Sequence, residues 1–230
     1  MTNKPKALDL FCKAGGATRG LQLAGFHVTG VDIEPQPRYC GDAFVQADAL
    51  TFDLSGFDFI WASPPCQTYC ALKTMKNARE HPDLVDAVRV RLKSNNVPYI
   101  IENVFGAPLH YPLMLCGSFF GLGSHGYQLR RHRYFEASFP LGLSFPCNHK
   151  RKTLGIYGSK VRDIAEEKRH YAKDKATRGK PVGVVLPHAY GFEAMGINWM
   201  TIGELSQAIP PAFSEYLGCK AMEICFEKAA

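Results

Sequence analysis

Over its first hundred residues the chain alternates short apolar runs with segments of helical pattern, and few folds accommodate that order. Residues 6–11, 27–33, 44–46, 57–61 and 97–101 read as strands, and residues 16–24 and 83–94 as helices. In the second helix Leu84, Val85, Val88 and Leu92 share one face, and a proline stands at the first turn. Such alternation predicts an α/β fold, with a mixed, mostly parallel sheet and helices on both faces. Open sheets of this kind do their chemistry just beyond the carboxyl ends of the strands. The residues that follow each run therefore carry most of the functional information.

Residues 57–61 lead straight into Ser63-Pro64-Pro65-Cys66-Gln67. Proline fixes its own φ and pushes the preceding residue towards extended geometry, so Cys66 sits on a stiffened turn. A thiol at a strand exit is a candidate nucleophile. A small buried cysteine beside a turn has the same local sequence. The run at 97–101 ends at Glu102-Asn103-Val104. A carboxyl at a strand end, against an apolar core, is a credible place for a raised pKa.

The first strand runs into Asp9-Leu10-Phe11-Cys12-Lys13-Ala14-Gly15-Gly16. Glycines there allow a tight turn and close backbone approach to a ligand, although the spacing is not that of a dinucleotide fingerprint. The second strand ends at Asp32-Ile33, where an acid can accept hydrogen bonds from ribose hydroxyls or cap a turn. Asp48-Ala49 follows the third and suits an adenine amino group. Three consecutive strand ends of this type describe a nucleoside cofactor site.

With 230 residues and 46% hydrophobic content, the chain can bury one substantial core and carry a small lobe. Charged residues at 21% and aromatics at 12% exclude a globally disordered chain. The eight cysteines are scattered, the opening residues carry no apolar signal segment, and no apolar run is long enough to span a bilayer. A reduced, cytoplasmic protein is expected. There is no Cys-x-x-Cys pair, and Cys66/Cys70 and Cys147/His149 are each half a metal site, so no metal is expected.

The net charge of +6 is localised. Residues 147–180 hold eleven Lys or Arg against four Asp or Glu, a local net of +7, which leaves 16 basic and 17 acidic residues elsewhere. Asn148, His149, Tyr157, Ser159, His170 and Tyr171 lie among these charges and can reach base edges. A solvated charged face has a similar composition, but phosphate binding explains the clustering better.

Taken in order, these motifs resemble the cytosine-C5 DNA methyltransferase family over most of the chain. Asp9-Leu10-Phe11 with Gly15-Gly16 and Gly20-Leu21 is similar to the family's S-adenosylmethionine loop. Pro65-Cys66-Gln67 is similar to its nucleophile motif, Glu102-Asn103-Val104 to its Glu-Asn-Val motif, and Arg131-His132-Arg133 to its spaced arginines. The resemblance implies a Rossmann-like S-adenosylmethionine-dependent enzyme with a small basic target-recognition lobe. Its implied substrate is cytosine in double-stranded DNA, flipped out of the stack. Cys66 would add to carbon 6, Glu102 would face ring nitrogen 3, and Arg131 would contact the base carbonyl, while Arg133 would brace the nucleophile loop.

The same resemblance assigns Phe11, Gly15, Gly16, Asp32, Ile33, Asp48, Ala49, Pro64, Gln207 and Ala208 to the cofactor. Gln67, Lys73, Lys76, Arg79, Lys150, Arg151, Lys152 and Tyr157 are assigned to DNA, with residues 68–81 similar to the family's mobile loop. The expected division is catalytic residues 1–136, recognition residues 137–186 and a returning C-terminal segment 187–230. A monomer with no membrane and no obligate protein partner is expected, similar in size to phage-borne members. A tRNA cytosine methyltransferase and a decayed DNA-binding homologue are the alternatives. Three positions depart from the family pattern. Lys13 replaces a glycine, Ser206-Gln207 replaces Gly-Asn, and Gln128 lies one residue early with Leu129 in its place.

Overall fold

The computed structural model describes residues 4–69, 82–143, 146–156 and 188–226. Five parallel strands form most of a seven-stranded sheet: β1 (Lys6–Leu10), β2 (His27–Asp32), β3 (Ala43–Gln46), β4 (Phe59–Ala62) and β5 (Tyr99–Asn103). β6 (Leu113–Leu115) and β9 (Arg133–Ala137) complete it, in the order β3-β2-β1-β4-β5-β9-β6, with β9 antiparallel to both neighbours. β7 (Gly123–Ser124) and β8 (Tyr127–Gln128) form a separate hairpin. The strand order reverses between β1 and β4, so the crevice of an open α/β sheet lies at the carboxyl ends of these two strands.

Side chains on a strand alternate between faces, and here that alternation splits the core in two. Ala7, Val28, Phe59, Trp61 and Ile100 pack with Leu21 of α1 (Gly16–Leu23) and with Phe213 and Leu217 of a C-terminal helix. Their neighbours Leu8, Val31, Ile60, Ala62 and Ile101 pack with Val88 and Leu92 of α2 (Val85–Ser94) on the other face. A smaller cluster joins Ala14, Leu129 and Leu154 to α3 (His188–Met195) and α4 (Ile202–Gln207). Thr201 and Glu204 close a capping box at the start of α4, and Pro211 starts α5 (Pro211–Ala221) from its first turn. No helix among the described residues is long and apolar enough to cross a membrane.

The α2 face differs from the expected apolar stripe by one residue. Arg89 is 4% exposed, and its Nη2 donates to Glu136 Oε2 of β9 at 2.8 Å. The guanidinium also donates through Nε to the same carboxylate, so the pair is bidentate and ties α2 to the antiparallel strand.

α1 and α5 approach closely because position 20 has no side chain. A Cβ at Gly20 would lie 2.1 Å from both the Pro211 carbonyl oxygen and Ser214 Oγ. Gly20→Ala gains about 1 kcal/mol of helix propensity, but the helices must then separate, at an overpacking cost of typically 1–3 kcal/mol or more. Since the carbonyl cannot rotate away, the second effect wins. The expected result is a fall in melting temperature of about 2–8 °C. A melting temperature at or above wild type would show that this contact can relax freely.

Candidate active site

The turn that carries Cys66 is built by its two flanking strands. β4 ends at Ala62, and Ser63 N–H still donates to Leu10 O at 3.1 Å, extending the register with β1. Pro64 is buried, and its carbonyl accepts from Asn103 Nδ2 of β5 at 3.1 Å. Tyr69 N–H donates to Cys66 O at 3.0 Å and closes the turn, leaving Cys66 half-buried. The asparagine of Glu102-Asn103-Val104 thus fixes the backbone that carries the thiol.

Glu102 is 5% exposed at the end of β5. Burial pushes its carboxyl above the ordinary range, against the opposing charge of Arg133, a hydrogen bond from Ser63 and the more distant Arg131. The Ser63 hydroxyl accepts from Trp61 Nε1 at 2.9 Å, so its orientation is set from within the core. Arg133 Nε lies 3.0 Å from Glu102 Oε1. Register sets this contact: Arg133 starts β9, whose Tyr134 pairs with Asn103, and its side chain reaches the adjacent glutamate.

Arg131 has φ 36°, and its Nη2 donates to Ser206 O at 2.8 Å. Its Nε is buried with no hydrogen-bond partner among the described residues. Burial, reinforced by Arg133, pushes the guanidinium down to about 9, while Glu102 and Cys66 oppose the shift. It therefore stays charged at neutral pH, within electrostatic reach of both candidate catalytic groups.

The cofactor loop lies beside this cluster. Phe11, Lys13 and Gly15 have φ of 61°, 48° and 87°. Lys13 thus takes the left-handed backbone that suits a glycine, at a cost of roughly 1–2 kcal/mol, and its N–H donates to Asp32 Oδ2 at 3.0 Å. Glu34 N–H donates to Asp32 Oδ1 at 3.1 Å. Asp32 is therefore a turn cap, yet each carboxylate oxygen keeps a lone pair for a further donor. Ile33 is 63% exposed beside it. Asp48 is exposed with Oδ1 held by Leu50 N–H at 2.8 Å, and Ala49 is buried.

The C-terminal segment completes the loop's surroundings. A Cβ at Gly16 would lie 2.6 Å from Ile209 O and 3.1 Å from Ala208 Cβ. Trp199 Nε1 donates to Ala14 O at 2.8 Å. Ala208 thus seats against the glycine loop, and Gln207 beside it is exposed.

Asp9 stands in the loop motif without a role of its own assigned from the sequence. Asp9 is 1% exposed in β1; Thr18 Oγ1 donates to its Oδ2 at 2.5 Å, and Oδ1 is buried with no hydrogen-bond partner among the described residues. Burial raises its carboxyl to about 7, helped by Asp32 and Glu102 and opposed by Thr18. The sequence signal was an acid inside an otherwise apolar strand.

Among the residues assigned to DNA, Gln67, Lys150, Arg151 and Lys152 are exposed. The basic three are tied to β8, since Gln128 N–H donates to Lys152 O and Leu154 N–H to Gln128 O, both at 2.8 Å. Lys73, Lys76, Arg79, Tyr157 and most of the basic run lie outside the described residues.

Solved structures of the same architecture cover nearly the whole chain. A DNA modification methyltransferase encoded within an E. coli prophage superposes with a TM-score of 0.62 at 14% identity, over 96% of this chain and 99% of that one. The Dnmt2 methyltransferase of S. pombe gives 0.57 at 13% identity, over 96% and 99%. The Entamoeba histolytica methyltransferase EhMeth gives 0.53 at 12% identity, over the full length of both chains. The chain has the Rossmann-like methyltransferase fold. No family model and no curated protein matches its sequence, so at these identities the likeness concerns architecture. Cys66 lies on the turn after β4, between the neighbouring strands β1, which carries Asp9, and β5, which carries Glu102.

Proposed function

We propose that the protein is a DNA (cytosine-5)-methyltransferase that uses S-adenosylmethionine. The observation that carries this reading is the convergence of Cys66, Glu102 and Arg131 at the strand-order reversal, beside an acid-lined glycine loop. The cofactor fits the residues present. It carries a positive sulfonium and ammonium, and the residues around the glycine loop offer Asp9 Oδ1, which has no hydrogen-bond partner among the described residues, and the residual lone pairs of Asp32. Asp32 would take the ribose hydroxyls, Ile33 and Phe11 would pack on the adenine, Asp48 would accept from its amino group, and Pro64, Ala49, Gln207 and Ala208 would border the site. Bound there, S-adenosylmethionine supplies an electrophilic methyl group.

Carbon 5 of cytosine is a poor nucleophile, and the chain's residues activate it. The target base leaves the helix at a cost of a few kcal/mol, with Gln67 and Lys150, Arg151 and Lys152 facing the DNA. The Cys66 thiolate bonds to carbon 6. Glu102, whose carboxyl burial shifts towards the protonated form, would donate at ring nitrogen 3, and Arg131 Nε, without a hydrogen-bond partner among the described residues, offers a donor to the base carbonyl. Carbon 5, so activated, would accept the methyl group; its proton would then pass to solvent, and the electron pair left behind would re-form the carbon 5–carbon 6 double bond and expel the thiolate.

Asp9 makes a pH signature. Its folded pKa of about 7 is raised above 3.8, so its contribution to stability is present below pH 3.8 and lost as pH rises through 7. A cationic ligand prefers the ionised form. S-adenosylmethionine affinity is expected to rise roughly three- to tenfold from pH 6 to pH 8, with proton release at the lower pH. Calorimetry in buffers of different ionisation heat measures both. A flat profile would remove Asp9 from the cofactor site.

The reading is tested by supplying methyl-labelled S-adenosylmethionine with duplex DNA and tRNA in parallel, then analysing nucleosides. 5-Methyldeoxycytidine from duplex DNA supports it. Label in tRNA alone selects the RNA-modifying alternative, and DNA binding without any methyl transfer selects the decayed one.

A further inference from the structure

The sequence leaves Cys147 and His149 as half of a metal site, and the fold brings up a second half. Cys116 follows β6, and His132 lies between Arg131 and Arg133 ahead of β9. Their ligand atoms and those of Cys147 and His149 all lie within 4.8 Å of one another. Cys116 Sγ is 3.3 Å from His149 Nε2, and Cys147 Sγ is 3.4 Å from His132 Nε2. Tetrahedral zinc, with bonds of about 2.0–2.3 Å, places its donors roughly 3.3–3.8 Å apart. The four atoms thus enclose the volume of one such ion.

We propose that Cys116, His132, Cys147 and His149 bind one structural Zn²⁺. Two sulfurs and two imidazole nitrogens in tetrahedral array suit zinc, whereas calcium and magnesium take oxygen ligands. Four protein donors fill the coordination sphere, which marks the site as structural instead of catalytic. Cys116 is fully buried, and the other three are half-buried. Surrounding groups already orient the donors. Ser118 Oγ donates to Cys116 Sγ at 3.1 Å, Asn148 N–H donates to Ser118 Oγ at 3.3 Å, and Arg130 Nη2 donates to His149 O at 3.3 Å. On binding, two thiols lose their protons to solvent and the thiolates neutralise the ion.

The position gives the ion a role. His132 separates the two arginines of the candidate active site, and Cys147 and His149 precede the exposed Lys150, Arg151 and Lys152. Zinc would lock the base of the basic segment to the arginine pair, so that DNA contact and catalytic charge share one anchor. This last consequence rests on the proposed DNA methylation; the metal site itself does not.

The test is metal analysis of the full chain purified from zinc-supplemented cells without chelator. About one zinc per chain is expected, falling below about 0.1 in Cys116→Ser and Cys147→Ser and unchanged in Cys219→Ser. Wild-type protein reloaded with Co²⁺ should show the intense visible bands of a tetrahedral thiolate site, a readout that needs no variant to fold. Wild-type protein that neither carries zinc nor binds added Zn²⁺ or Co²⁺ at one equivalent would overturn the site, as would a Cys116–Cys147 disulfide in freshly isolated protein. Chelation should also weaken duplex DNA binding at least about tenfold while S-adenosylmethionine binding is retained. Unchanged DNA binding after zinc loss would overturn the anchoring role alone.

Discussion

Cys66→Ser is expected to abolish methyl transfer, lowering the single-turnover rate by about 10³-fold or more. Serine is nearly isosteric, so the turn set by Pro64, Pro65 and the Asn103 hydrogen bond should persist. What is lost is nucleophilicity, since a hydroxyl ionises far less readily than a thiol. Melting temperature and S-adenosylmethionine affinity should stay close to wild type, which separates a chemical defect from a folding one. A serine variant that methylates at a near wild-type rate would rule out covalent catalysis by this residue.

The second large effect is expected at Glu102. Glu102→Gln should reduce turnover by about 10²–10⁴-fold, the range of general acid–base contributions. Cofactor affinity should change little, because the residue pairs with Arg133 and Ser63 and not with the glycine loop. The amide keeps an acceptor for Arg133 Nε, so the half-buried arginine keeps a hydrogen-bond partner. The wild-type pH profile carries a further sign. The folded pKa is raised, so the proton Glu102 donates is present at low pH and lost as pH rises through that value; activity should decline on that alkaline limb. Unchanged turnover in the glutamine variant would remove Glu102 from the mechanism.

The parallel half of the fold is legible in the sequence because its strands are short, apolar and separated by helical periods. β1 to β5 and α1 to α2 fall within a few residues of the expected bounds. β9 is not legible, because Arg133 and Glu136 interrupt its apolar pattern, and their charges pair with tertiary partners, Glu102 and Arg89. α3 was hidden for a similar reason. It buries Gly191, Ala194 and Met195 against a satellite cluster, which leaves little hydrophobic periodicity.

The candidate site divides in the same way. Cys66, Glu102 and the glycine loop stand at strand ends that the sequence order already indicates. The raised carboxyl of Asp9 depends on burial, and the Arg133–Glu102 pair on antiparallel register. The Cys₂His₂ cluster is the extreme case: sequence spacing shows one pair, while Cys116 and His132 join it only through the packing of residues 146–156 beside β8. Lys13 shows the reverse. It stands where the family pattern has a glycine, and its backbone takes the positive φ that suits one, with its N–H donated to Asp32.

Mechanism-based trapping tests the central claim most directly. The protein is incubated with S-adenosylmethionine and duplex DNA carrying 5-fluorocytosine, denatured, digested and mapped by mass spectrometry. Fluorine cannot leave as a proton does, so the account predicts a stable methylated adduct joining Cys66 to the base, absent in Cys66→Ser. Methylated cytosine from normal duplex DNA with no adduct on the fluorinated duplex, or an adduct at another residue, would contradict it.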